Sequence, residues 1–294
     1  MLALLFDKPL RERFLQNPVT TLNDYALSED ERADFLCIRT DGLAFDANLR
    51  IDLLLSQMAK HYPLSMALQS SMPEGLEALK AFIDLEWIKQ PSIQRPMLFG
   101  LHMKNLFAGA DEQATLMKAI LEAELAMTYT AAQLRGSAQQ GMAIPDADEV
   151  HEVPDNWSSI ALTLAENTNV SVIPLPYEQL KQALCPYEGA ALWHHLSSTP
   201  VDSGFRNTLL ATPDMRLFVA KAVASDISSC DMSVEFVTIE LSSGFASLLP
   251  HLDGKNSVDH LLQQMKAAGA QPSLVSAIRN GFRQMLERGL LIIA

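Results

Sequence analysis

The chain is expected to fold as a mainly helical α+β protein, with an N-terminal helical bundle followed by a C-terminal winged-helix-like domain. Two observations predict this. Residues 9–134 repeat apolar side chains at intervals of three and four, the period of helices that bury one face. Residues 211–294 instead place two β-rich runs ahead of three short helical patterns, the order of a winged-helix-like unit.

In the first half, Pro9 suits a first helical position, where its missing N–H costs nothing. Ser28 and Glu31 make a capping box ahead of a helix to about Arg39, each side chain satisfying an orphan amide of the other. Leu76, Leu79, Phe82, Ile83 and Trp87 form one apolar stripe after Pro73. Leu116, Ile120, Leu121, Leu125 and Met127 line a longer helix that Gly136 is placed to end. Periodicity then disappears, and Gly, Pro, Ala and acidic residues mark a linker. Beyond it lie a β-rich run at Val170–Ile173 and helices at Tyr177–Leu184 and Ala190–Leu196.

The runs MRLFVAKAVA and MSVEFVTIEL flank a DISSCD turn and predict paired strands, since β-branched and aromatic residues dominate them. Helices are expected over Ser243–His251, Ser257–Ala268 and Pro272–Arg288, punctuated by Gly254, Gly269 and Gly289, before a final apolar LLIIA. The expected division is therefore a helical domain at 1–136, a linker at 137–155, a mixed connecting region at 156–210 and the winged-helix-like domain at 211–294.

The 294 residues suffice for two cores, and 48% hydrophobic against 19% charged residues gives no case for global disorder. A formal net charge of −13, with no Lys/Arg run to offset it, argues against nucleic acid as a partner. Cys37, Cys185 and Cys230 are far apart and odd in number, which suits reduced, buried thiols rather than disulfides or a zinc knuckle. Asp7, Lys8 and Pro9 interrupt the apolar N-terminus, and no apolar run approaches the ~18 residues of a membrane span. A cytoplasmic protein with no membrane partner is expected.

Catalytic chemistry finds little foothold. GxSxG, Walker A and GxGxxG patterns are missing from the sequence, as are HxxxH and HExxH. His194 and His195 adjoin Trp193, but neighbours on a helix point about 100° apart and chelate one ion poorly. An orphan metal-dependent enzyme using His194 or His195 is the alternative they leave open. The acidic run Asp146, Asp148, Glu149, His151, Glu152 and Asp155 lacks the Gly-centred loop of an EF-hand and reads as solvated linker. Cys37, among Phe35, Leu36 and Ile38, reads as a core thiol. No catalytic residue, metal ligand or cofactor is assigned to this chain.

Binding chemistry is more legible at the C-terminus. Arg279 and Arg283 stand four apart on the last long helix, beside an apolar stripe of Leu274, Ile278, Phe282 and Leu286. One reading is an amphipathic helix with a solvated edge. The other is a groove between this helix and an edge strand bearing Val234, Phe236 and Thr238. A peptide would add there as an extra strand and pair its acids with the two arginines.

The segment IELSSGFASLLPHLDGKNSVDHLLQQMKAAGAQPSLVSAIRNGFRQMLERGLLI, with its LDG turn at Leu252–Gly254 and its ERGLL ending, resembles the PqqD-like fold, the RiPP recognition element. In the first half, FDKPLRERFLQNPVTTLNDYALSEDERA, HYPLSMALQ, FIDLEWI, MLFGLHMKNLF and AILEAELAMTYTAAQLRG resemble the helical domain of partner proteins that accompany iron-dependent oxygenases of ribosomally made peptides. Such partners include MbnC, HvfC-type proteins and the TglI type of the 3-thiaglutamate pathway. Chain length and the C-terminal module favour the TglI type, with a methanobactin-type partner as the alternative. The resemblance implies a non-catalytic subunit that binds a precursor peptide and presents its cysteine to a TIM-barrel multinuclear iron oxygenase. Iron would belong to that enzyme, and the peptide surface would map onto the strand at 232–241 and the helix Pro272–Arg288.

Overall fold

The computed structural model describes all residues except 143, 145–150, 200, 203, 205–206, 208–210, 212 and 227–232. Among the described residues the chain is mainly helical with two small sheets, the expected α+β class. It divides into two compact units, Met1–Ala108 with Lys181–Thr208, and Gly109–Leu180 with Leu209–Ala294.

The first unit contains α1 (Leu2–Phe6), α2 (Lys8–Gln16), α3 (Pro18–Leu22), α4 (Glu29–Leu36), α5 (Thr40–His61), α6 (Pro63–Ser70), α7 (Gly75–Phe82), α8 (Leu85–Ile88) and α9 (Arg95–Leu106). Polar caps set its starts. Asp7 accepts from the Leu10 N–H at 2.8 Å, and Ser28 with Glu31 completes the capping box in both directions. Asp84 likewise accepts from the Trp87 N–H at 2.8 Å. That cap corrects one expectation: the stripe from Leu76 to Trp87 is split between α7 and α8, because Ile83 leaves helical geometry and Asp84 starts a new helix. A second correction concerns Cys37. It caps α4 at the C-terminus and is exposed, since α4 ends at Leu36 and buries none of its residues. Cys185 is buried as expected, while Cys230 lies outside the described residues.

Aromatic side chains hold this unit together. Phe99 lies 5.9 Å from Tyr62 and 5.8 Å from Phe82, and the Tyr62 hydroxyl donates to the Pro96 carbonyl at 2.8 Å. His102 stacks on Phe82 at 4.1 Å with its Nε2 buried and unpartnered among the described residues. Burial pushes its pKa down, and a backbone hydrogen bond with Ala78 opposes this.

The second unit begins with α10 (Glu112–Gln139) and holds β1 (Ala161–Leu164), β2 (Thr168–Ile173), β3 (Arg216–Asp226), β4 (Ser233–Ser242) and β5 (Asp253–Ser257). Helix α11 (Tyr177–Leu184) spans the boundary, and α12 (Gly189–Ser198) packs on α5 within the first unit. After β5 come α13 (Val258–Ala267), α14 (Pro272–Glu287) and β6 (Leu291–Ile293). One antiparallel sheet has the order β2-β3-β4, the other β5-β1-β6.

The division differs from the one periodicity suggests. Helix α10 packs against β2 and β3, and so belongs with the C-terminal sheet rather than with the N-terminal helices. Its apolar stripe shows that one face is buried, and is silent about what covers it. Gly136 lies inside α10, which continues to Gln139. Of the expected linker at 137–155, the first residues finish α10, Val153 packs against the C-terminal core, and 143 and 145–150 lie outside the described residues. The DISSCD turn lies almost wholly outside them too. The segment Ser243–His251 forms two 3-10 turns, Ser243–Ser247 and Leu249–His251, instead of one helix; Pro250 has no N–H for an α ladder.

The core of this unit joins Leu217, Val219, Ile239 and Leu241 of the β2-β3-β4 sheet to Val275, Ile278, Phe282, Met285 and Leu286 of α14. Phe245 meets Phe282 edge-on at 5.5 Å. Gly281 permits that contact, because a Cβ there would lie 2.3 Å from Phe245 Cζ. Among the described residues no helix is long and apolar enough to cross a membrane.

Two predictions follow from this packing. Gly281→Ala gains about 1 kcal/mol of helix propensity yet overpacks the Phe245 ring at about 1–3 kcal/mol, so a net loss near 1 kcal/mol is expected. Adding Phe245→Leu should recover stability, giving a favourable coupling in a denaturation double-mutant cycle. For His102, the folded-state pKa is depressed, so the unfolded chain takes up protons first on acidification. Stability should therefore fall as pH drops below about 6.5, the ordinary imidazole value, and His102→Gln should flatten that part of a urea-denaturation profile between pH 5 and 7.5.

Candidate functional site

Strand β4 ends its sheet. Among the described residues its ladder partner is β3 alone, over ten residues from Ser233 to Ser242. The phase of the ladder determines which groups face outward. The Ala222 N–H donates to the Asn167 carbonyl, on the β2 side, so Phe218, Ala220 and Ala222 direct their backbone groups to β2. Leu217, Val219 and Lys221 therefore direct theirs to Leu241, Ile239 and Val237 of β4. Alternation leaves the N–H and C=O of Phe236, Thr238 and Glu240 on the outer edge. Arg288 agrees with this phase, since its Nη1 donates to the Thr238 carbonyl from the end of α14.

The same alternation separates the side chains. Ile239 and Leu241 enter the core beneath α14, with Val237 packed beside them. Val234, Phe236 and Thr238 point to the opposite face of the sheet, half-buried. The expected groove, with these three residues and the α14 stripe on one surface, is thus not assembled. Ile278 and Phe282 are buried in the core and Leu274 is exposed at the start of α14. Leu286 is buried with Ile278 and Phe282, so three of the four stripe positions support the fold rather than a ligand.

The arginines are also apart from the edge. Helix α14 turns Gly281 towards Leu241 and Phe245, and brings Arg288 to Thr238. At about 100° per residue, Arg279 and Arg283 lie on the other flank of the buried stripe. Arg279 sits 5.9 Å above the Trp157 ring, and its Nη2 donates to Ser158 Oγ at 3.0 Å. The hydroxyls of Ser158 and Ser159 both donate to Asp259 Oδ2 at 3.0 Å. Arg283 pairs with Glu287 one turn on, at 2.9 Å and largely in solvent. The cation that reaches β4 is Arg288, which lacks any periodic mark because it follows the last helical turn. Gly281 was the one available hint, a helix-interior glycine that only close packing justifies.

The histidine pair stays separate. His194 is exposed on α12, and the His195 ring lies 4.9 Å from Tyr187. Among the described residues no group of three or more His, Cys, Asp or Glu side chains is gathered as a metal site would require. Compared with protein families, curated proteins and solved structures, the chain matches none.

The arginines should separate in experiment. Arg279→Glu sets a carboxylate beside the Ser158–Asp259 network and loses the Trp157 contact, so a loss of about 1–3 kcal/mol is expected. Arg283→Glu removes only an exposed i,i+4 pair and should change stability by about 0.5 kcal/mol or less in thermal denaturation.

Proposed function

We propose that this chain is a non-catalytic partner subunit that binds a ribosomally made precursor peptide and presents its cysteine to a multinuclear iron oxygenase, as in 3-thiaglutamate-type biosynthesis. The observation that carries the reading is the terminal strand β4, with the outward N–H groups of Phe236, Thr238 and Glu240. An extended peptide pairing there gains ladder hydrogen bonds of about 0.5–1.5 kcal/mol each, and its side chains alternate between the α14 side and the Phe236 face. Arg288 already holds the Thr238 carbonyl as a side-chain substitute for a strand donor, and an incoming peptide N–H would replace it. Specificity would come from the pockets that alternate side chains meet, not from the paired arginines.

In this reading the helical unit docks on the TIM-barrel enzyme. Support comes from α5, which leaves Phe45 71%, Leu49 54% and Leu53 60% exposed at successive turns of one face. Apolar side chains in such a row are a surface that a partner protein would cover. The winged-helix-like, PqqD-like description of the C-terminal unit belongs to the same proposal. Iron and oxygen chemistry reside in the enzyme, and this chain supplies the hold on the substrate.

Two measurements test it together. Hydrogen exchange with a precursor peptide encoded beside the chain should protect the amides of Phe236, Thr238 and Glu240 more than the already paired Val237 and Ile239. In reconstitution, the iron enzyme should modify that peptide only when this chain is present. Full modification by the enzyme alone would overturn the proposal.

A further inference from the structure

The notch between α13 and α14 is separate from the β4 edge and has its own chemistry. Its volume is about 310 Å³, and Asp259, Gln263, Lys266, Pro272, Ser276 and Arg279 contribute to its wall. Space of this size admits one or two side chains rather than an extended ligand. Arg279 is preorganised here. The Trp157 ring supports one face of its guanidinium, and Ser158, tied in turn to Asp259, holds Nη2. Its Nε and Nη1 have no acceptor among the described residues, and Arg279 makes no ion pair within 4.0 Å among them. Lys266 likewise has no carboxylate partner among the described residues.

The first turn of α14 adds to this positive potential. Pro272 and Ser276 border the notch, and Gln271 provides no side-chain cap for the first amides of the helix. Counting Arg279 and Lys266 against Asp259, the wall has a net charge of +1 in a chain whose formal charge is −13. That balance fits a monoanion. A dianionic phosphate would leave the notch negative beside Asp259, whereas a carboxylate neutralises it and matches the planar donors of a guanidinium.

We propose that the α13–α14 notch is a carboxylate-recognition site, in which Arg279 and Lys266 take an acidic side chain of a bound peptide. The proposal rests on the peptide-binding reading above for the carrier of that side chain, and replaces the pairing of Arg279 with Arg283 by a pairing with Lys266 from the neighbouring helix. Arg279 supplies directional hydrogen bonds, Lys266 supplies charge, and Gln263 and Ser276 supply neutral polar partners. Asp259 sets the limit on charge by repelling a second anionic group.

The test uses the full chain, isotopically labelled for amide NMR, and two synthetic hexapeptides of alternating leucine with glutamate or with glutamine. Addition of the glutamate peptide should shift the amides of Lys266, Ser276 and Arg279, with the glutamine peptide binding there about tenfold more weakly. Lys266→Glu, at an exposed position, should weaken the glutamate peptide by about tenfold or more and leave the β4 amides folded and unperturbed. Inorganic phosphate should bind more weakly than the glutamate peptide. Equal binding of the two peptides, tighter binding of phosphate, or no notch response at millimolar peptide would overturn the proposal. The β4 amides report separately: a response at β4 without one in the notch rejects the notch and retains the edge reading, and the reverse pattern retains the notch and rejects the edge.

Discussion

The second unit depends on β3, a strand buried on both faces. Every residue from Leu217 to Ala224 is buried. On one side Leu217 and Val219 meet the α14 core; on the other Phe218 stacks on Tyr177 at 4.8 Å, and Ala220, Ala222 and Ala224 lie on the same face as Phe218. Helix α10 packs against β3 and β2, and small alanines let a helix approach a sheet closely. Even Lys221 is accommodated, its Nζ donating to the Gly289 carbonyl at 3.0 Å, which ties β3 to the turn after α14. A strand covered on both faces and paired along both edges leaves the next strand, β4, to end the sheet.

That position explains why β4 has both a core-facing and an outward-facing aspect. Its paired groups and its Ile239 and Leu241 side chains complete the core, while the alternate groups face outward. Open edges invite unwanted pairing, and proteins blunt them with charges. Arg288 on the Thr238 carbonyl and Glu240 accepting from the Glu178 N–H at 3.2 Å place charged side chains along this one. An edge guarded by replaceable side-chain contacts can remain unpaired alone and still accept a suitable strand.

The helical unit works by a different rule. Its caps at Asp7, Ser28 and Asp84 define where short helices begin, and its aromatic cluster around Phe82 and Phe99 binds them into one core. The exposed row on α5 stands apart from that core, and α4 contributes no buried residue at all. Surfaces of this kind satisfy local helix formation while leaving apolar area exposed.

Local chemistry was legible in the sequence wherever neighbours along the chain decide the outcome. The Ser28–Glu31 capping box, the paired runs at β3 and β4, the Ser257 start of α13 and the buried face of α14 all follow from side chains within a few residues of one another. What required the tertiary structure was the identity of the covering surface. The stripe on α10 could not show that a sheet 30 or more residues away covers it, nor could the spacing of Arg279 and Arg283 show that one is fixed by Trp157 and Ser158 while the other pairs with Glu287. Periodicity measures rotation about an element's own axis. Whether a side chain then meets core, solvent, β4 or the α13–α14 notch depends on long-range packing, and that information exists only once the elements are assembled.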